Sequence, residues 1–75
     1  MTVPPVPVES TLLATVSYDA SQSILELEFC DGALYRYFTV PTTVLSQLLA
    51  AESKGSFFNR HIRNSFRFIC LKPAR

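Results

Sequence analysis

The sequence predicts an α+β domain in which a three-stranded antiparallel meander is followed by two short helices and a C-terminal strand that returns to the sheet. Three features predict it. Apolar residues alternate with polar ones through residues 12–18, 24–29 and 33–38, the period of half-buried strands. Helical periodicity takes over through residues 41–63, and alternation resumes at 66–71. The 75 residues supply one core, not two. A chain of this size buries only about 60% of the surface its unfolded form exposes, so its stability is expected near or below the low end of the roughly 5–15 kcal/mol range.

Residues 1–10 open with MTVPPVPVE, which holds three prolines and no periodicity and is expected as an extended, poorly ordered arm outside the domain. The domain proper is expected over residues 11–71. Its first strand runs from Leu12 to Tyr18, with Leu12, Ala14, Val16 and Tyr18 on one face and Leu13, Thr15 and Ser17 on the other. Asp19 to Ser23 form a turn. In the second strand Leu25, Leu27 and Phe29 share one face, and Ile24, Glu26 and Glu28 the other.

The loop after Phe29 decides the register of the third strand, Ala33 to Phe38. A two-residue Asp31-Gly32 turn would set Leu27 against Arg36, which puts a charge on the apolar face. A three-residue loop with Gly32 in a left-handed conformation pairs Leu27 with Tyr35, Leu25 with Tyr37 and Glu26 with Arg36, and satisfies both faces. The second register predicts that Tyr35 and Tyr37 point at the core and that Arg36 lies outward beside Glu26.

Val40 precedes Pro41 and so stays extended, while Pro41 suits the start of a helix. In that helix Val44, Leu45, Leu48 and Leu49 form an apolar stripe, and the outer face carries no charge. Ser53 is the N-cap of a second helix reaching about Arg63. At 100° per residue, Phe57, Phe58, His61 and Ile62 fall within an arc of about 140°, and Ser56, Asn59, Arg60 and Arg63 fill the opposite side. His61 is therefore expected on the buried side, as a packed histidine without the orienting carboxylate that a catalytic base needs. Gly55 is expected to permit close backbone approach. In the last strand Phe66, Phe68 and Cys70 face one way and Arg67, Ile69 and Leu71 the other; residues 72–75 form a basic, frayed tail.

Net charge is only +1, but it is unevenly laid out. Residues 1–53 hold six acids and one base; residues 54–75 hold six bases and no acid. Such asymmetry points to an anionic partner. On the second helix Lys54, Asn59, Arg60 and Arg63 have no acidic neighbour at i±3 or i±4, and Arg67 adds to that surface. Cys30 and Cys70 with one histidine lack the spacing of a zinc site, so no metal is expected, and the two thiols are expected reduced. No apolar run approaches the ~20 residues of a membrane span, and a cytoplasmic location is expected.

The run VSYDASQSILELEFCDGALYRYFTVP, followed by LLAAESKGSFFNRHIR, resembles the KTSC domain, a small family named for its occurrence at the C-terminus of some lysyl-tRNA synthetases and also found as stand-alone bacterial proteins. Its central Y-x-Y motif stands here as Tyr35-Arg36-Tyr37, its following V-P as Val40-Pro41, and SKGSFFNRHIR matches its second signature. At Phe66 and Phe68 the chain departs from the tyrosines the family favours. The resemblance implies no established activity and, through the synthetase connection, a suggestion of RNA binding.

The expected function is thus that of a non-enzymatic binding module without a cofactor, holding RNA or a tRNA-related component weakly through Lys54, Arg60, Arg63 and Arg67. The alternative is a protein-interaction module or small homodimer that uses the uncharged face of the first helix or an open sheet edge. Hydrolase chemistry is disfavoured, because the sequence offers neither a nucleophile–base pair that can be placed together nor a phosphate-cradling glycine loop.

Overall fold

The computed structural model describes residues 2–75. Its elements follow in the order β1 (Thr2–Pro7), β2 (Leu13–Asp19), β3 (Ile24–Phe29), β4 (Leu34–Tyr37), α1 (Thr42–Ala50), α2 (Lys54–His61) and β5 (Phe68–Lys72). All five strands form one antiparallel sheet in the order β1-β2-β3-β4-β5. The α+β class and the returning C-terminal strand are as the sequence predicts, but the meander has four strands, not three.

The additional strand is β1, made from the proline-rich segment expected as a free arm. It pairs with β2 through Val3–Tyr18 and Val6–Val16, with a bulge between Val3 and Val6 that takes up one residue at Pro4-Pro5. An edge strand needs hydrogen bonds on one side only, so it tolerates residues that lack an N–H. The prolines that argued against a strand argue only against a central one.

A second bulge lies in β2. Leu13 pairs with Phe29 and Thr15 with Glu28, leaving Ala14 as an extra residue. The bulge resets the alternation, so Leu13, Val16 and Tyr18 face the core and Leu12 is only half-buried. Leu13, expected on the opposite face from Val16 and Tyr18, joins them in the core, while Leu12 keeps its place against the core beside Gly55, because a period of two cannot see the residue inserted at Ala14.

The β3–β4 hairpin has the three-residue loop. Phe29 N donates to Ala33 O at 2.8 Å, Gly32 N donates to Phe29 O at 2.9 Å, and Gly32 has φ +94°. Leu25 pairs with Tyr37, Leu27 with Tyr35 and Glu26 with Arg36, and Arg36 Nη2 lies 2.7 Å from Glu26 Oε2. A two-residue loop would have turned both tyrosines away from the helices.

The helices cover one face of the sheet. α1 begins after Pro41 and buries Leu45 and Leu48; Leu49, expected in the same stripe, is exposed. α2 is capped by Ser53, whose hydroxyl accepts from Ser56 N, and buries Phe58. Beyond its last turn Ile62 is fully buried. A Cβ on Gly55 would lie 3.2 Å from Leu12 Cβ, which confirms close approach at that position. The core comprises Leu13, Val16, Tyr18, Leu25, Leu27, Tyr37, Val40, Leu45, Leu48, Phe58 and Ile62. The C-terminal tail is tied down: Arg75 N donates to Asp31 O at 2.9 Å, and the Arg75 side chain lies against Gly32.

Val40 pins the passage from β4 to α1. Its N–H donates to Ser23 O at 2.8 Å, and its carbonyl accepts from the Tyr18 hydroxyl at 2.6 Å in a buried bond. These bonds hold the neighbouring Thr39 in the left-handed region at φ 59°, a costly conformation for a β-branched residue. Replacing Tyr18 by Phe orphans a buried carbonyl and is expected to cost about 1–3 kcal/mol. Urea unfolding of Tyr18→Phe checks this, and an unchanged midpoint would contradict the anchoring role.

Candidate functional site

The inner face of the sheet is not wholly covered. Every residue of β5 is exposed, although Phe68 and Cys70 pair with the inward-facing Tyr37 and Tyr35. Between β5 and the C-terminal half of α2 lies an open groove of about 510 Å³. Its apolar wall is a cluster of five rings. Phe58 meets Phe29 and Tyr37 edge-on, with centroids 5.2 and 5.8 Å apart. Tyr35 stands edge-on to Phe29 at 5.6 Å, and Phe68 leans on both Tyr35 and Tyr37 at 5.7 and 5.5 Å. Tyr37 is 3% exposed, whereas Phe68 is 51% exposed and presents its ring to the groove.

The polar groups on this wall are few and defined. Asn59 lines the groove from α2, Arg63 from the turn that follows it, and Asp31 from the β3–β4 loop, where Asp31 Oδ1 accepts from Ala33 N at 3.0 Å. Of the three tyrosines, Tyr18 donates its hydroxyl to Val40. The hydroxyls of Tyr35 and Tyr37 have no protein partner among the described residues. No buried polar side-chain atom there lacks a partner, so both hydroxyls keep some access to solvent, slight for Tyr37, which is 3% exposed. Burial, and secondarily the proximity of Tyr35, pushes the Tyr37 phenol up to about 12, while the nearby Arg63 guanidinium works in the opposite direction.

The four cations expected to form one surface are divided. Arg63, in the turn after α2, lines the groove, and Arg60 is exposed on α2 itself. Arg67 sits 6.0 Å from the centroid of the Phe38 ring. Lys54 donates to Ala51 O at 3.2 Å and lines a separate hollow with Glu9 and Glu52. The only ion pair among the described residues is Arg36–Glu26, so no carboxylate neutralises Arg60, Arg63 or Arg67.

His61 is exposed, not packed, with its ring 4.6 Å from that of half-buried Phe57. What enters the core here is the narrow i, i+4 pair of Phe58 in α2 and Ile62 at its C-cap, and an arc of about 140° is too wide to assign His61 to it. Among the described residues, no group of three His, Cys, Asp or Glu side chains is placed to hold a metal ion. Cys30 and Cys70 are both exposed free thiols. Among the described residues, no helix is long and apolar enough to cross a membrane.

The model of the KTSC domain matches residues 9–66, most of the chain. The chain belongs to the KTSC domain family. The crystal structure of a KTSC domain protein from Yersinia pestis superposes with a TM-score of 0.89 at 28% identity, covering 95% of this chain and 99% of that one. A protein of Tsukamurella paurometabola is 45% identical over 65 residues, covering 87% of this chain and 97% of its own. A lysine–tRNA ligase of Nostoc is 37% identical over 60 residues; these are 80% of this chain but 11% of the ligase.

In this KTSC domain the Y-x-Y tyrosines play two roles. Tyr37 is a core residue with its hydroxyl at the groove, and Tyr35 is half-buried in the groove wall. Alternation places both on the inner face but cannot show that the helices stop short of Tyr35. Phe68 and Asn59 were missed as site residues for the same reason. The signal available was the pairing of the last strand with Y-x-Y, which carries Phe68 to the same face.

The neutral Tyr37 phenol is favoured by the folded state. Its contribution to stability is complete below the ordinary tyrosine value near 10 and is lost as pH rises from there through about 12. An absorbance titration of tyrosinate should show a late ionisation near pH 12 that Tyr37→Phe abolishes. Retention of that step in the variant would contradict the assignment.

Proposed function

We propose that this KTSC domain is a non-enzymatic binding module that takes up single-stranded nucleic acid, RNA foremost, along α2 and the groove beside it. The carrying observation is that Arg63, without a carboxylate partner, stands at an open aromatic groove whose hydroxyls are free. Phosphate binding needs unneutralised cations, and tolerant binding of single strands needs aromatic faces on which bases stack. Arg60 on α2 and Arg67 beyond it extend the cationic character of the C-terminal third. Similarity to a segment of lysine–tRNA ligases agrees with a tRNA-related setting. The exposed His61, paired with an aromatic ring instead of a carboxylate or thiol, supports a binding role over a catalytic one.

A second reading rests on the sheet edges. β1 is guarded by Pro4, Pro5 and Pro7, but β5 has no proline, and Phe68, Ile69 and Leu71 are 51%, 46% and 39% exposed. Such an edge suits a strand added by a protein partner or a second copy.

Fluorescence anisotropy with short RNA oligomers across a salt series separates the two readings. Nucleic-acid binding predicts a linear fall of log K with log salt, and a slope that drops by about 0.7 for each phosphate-contacting arginine lost in Arg60→Ala and Arg63→Ala. Absence of binding at low salt, together with concentration-dependent sedimentation that salt leaves unchanged, would favour the sheet-edge reading.

A further inference from the structure

We infer that the groove between α2 and β5 is a pocket for one unpaired nucleobase, stacked on Phe68 beside Tyr35, with the adjoining phosphate held by Arg63. This rests on the nucleic-acid reading and gives the groove a specific part in it. Its volume of about 510 Å³ lies within the roughly 300–1,000 Å³ of small-molecule sites. Three properties select the ligand. The exposed ring of Phe68, backed by Tyr35 and Tyr37 at 5.7 and 5.5 Å, is a fixed aromatic platform that asks for a planar face. The free hydroxyls of Tyr35 and Tyr37 and the amide of Asn59 ask for hydrogen-bonding edges, which an acyl chain would leave unpartnered. Arg63 asks for an anion next to the plane, and a base with its phosphate supplies both.

Charge also sets the direction of the ligand. Among the described residues the groove is lined by one cation, Arg63 from the turn after α2, and one anion, Asp31 from the β3–β4 loop. A phosphate is attracted to the first and repelled by the second, so the backbone passes on the α2 side and the base points toward β4 and β5.

The decisive comparison is between a short single-stranded RNA oligomer and an oligomer of equal length in which the bases are replaced by abasic sites, both bound to the full chain and read by anisotropy. Stacking of one base predicts that the abasic oligomer binds about 5- to 100-fold more weakly at equal salt slope. Phe68→Ala, at an exposed position that does not threaten the core, should bring the intact oligomer down by a similar factor without changing the slope. Tyr35→Phe keeps the ring and should produce a smaller loss. Equal affinity for intact and abasic oligomers, with Phe68→Ala neutral and a steep salt slope retained, would overturn the base pocket while leaving phosphate binding in place. Failure of both oligomers to bind at low salt would overturn the pocket together with the reading on which it rests.

Discussion

The register of β3 against β4 is the constraint on which the rest of the molecule depends. It is set by the three-residue loop Cys30–Gly32, closed by reciprocal bonds between Phe29 and its partners and made possible by the left-handed Gly32. With Leu27 opposite Tyr35 and Leu25 opposite Tyr37, the two tyrosines face the helices and Arg36 meets Glu26 on the outer side. A slip of one residue would turn β4 over, setting Arg36 against Leu27 on the face under α1 and α2, separating it from Glu26 and exposing the two tyrosine rings. Burial of the apolar face and pairing of the charges therefore select the same register.

From that register follows the aromatic cluster, and from the limited reach of the helices follows the groove. α1 and α2 have nine and eight residues, or about 13 and 12 Å at 1.5 Å per residue. A seven-residue strand such as β2 spans about 23 Å. Phe58 and Ile62 seal α2 over the centre of the sheet, next to Leu13, Val16, Leu25 and Leu27, but the β4–β5 side keeps Tyr35 half-covered and Phe68 open. In a small domain this exposure withholds apolar area from the core. It also leaves Arg63, without a carboxylate partner, beside the accessible rings of the groove.

The sequence made the centre of the fold legible because its local signals agree there. Alternation in ILELEF, the demand of Arg36 for Glu26, the cap at Ser53 and the break at Pro41 all lead to the elements observed. The edges were less legible. Pro4, Pro5 and Pro7 exclude a central strand but not an edge strand, and the bulge at Ala14 adds a residue that a period of two cannot register. The basic C-terminal third was visible as composition, yet only the fold separates Lys54, turned to Glu9 and Glu52, from Arg63 at the groove. His61 illustrates the same limit, since a wheel gives the direction of a side chain and not the width of the neighbour that must cover it.

Charge and stacking are thus divided between α2 with the turn after it, which carry Arg60 and Arg63, and β4 with β5, which carry Tyr35, Tyr37 and Phe68. The central claim is that these elements form one binding surface. Titration of the ¹⁵N-labelled protein with a short single-stranded RNA, followed by amide chemical shifts, tests it most directly. The account predicts perturbations concentrated at Tyr35, Tyr37, Asn59, Arg63, Phe68 and Cys70. Shifts confined to β1, α1 or the outer face around Glu26 and Glu28, or no shifts at low salt, would contradict it.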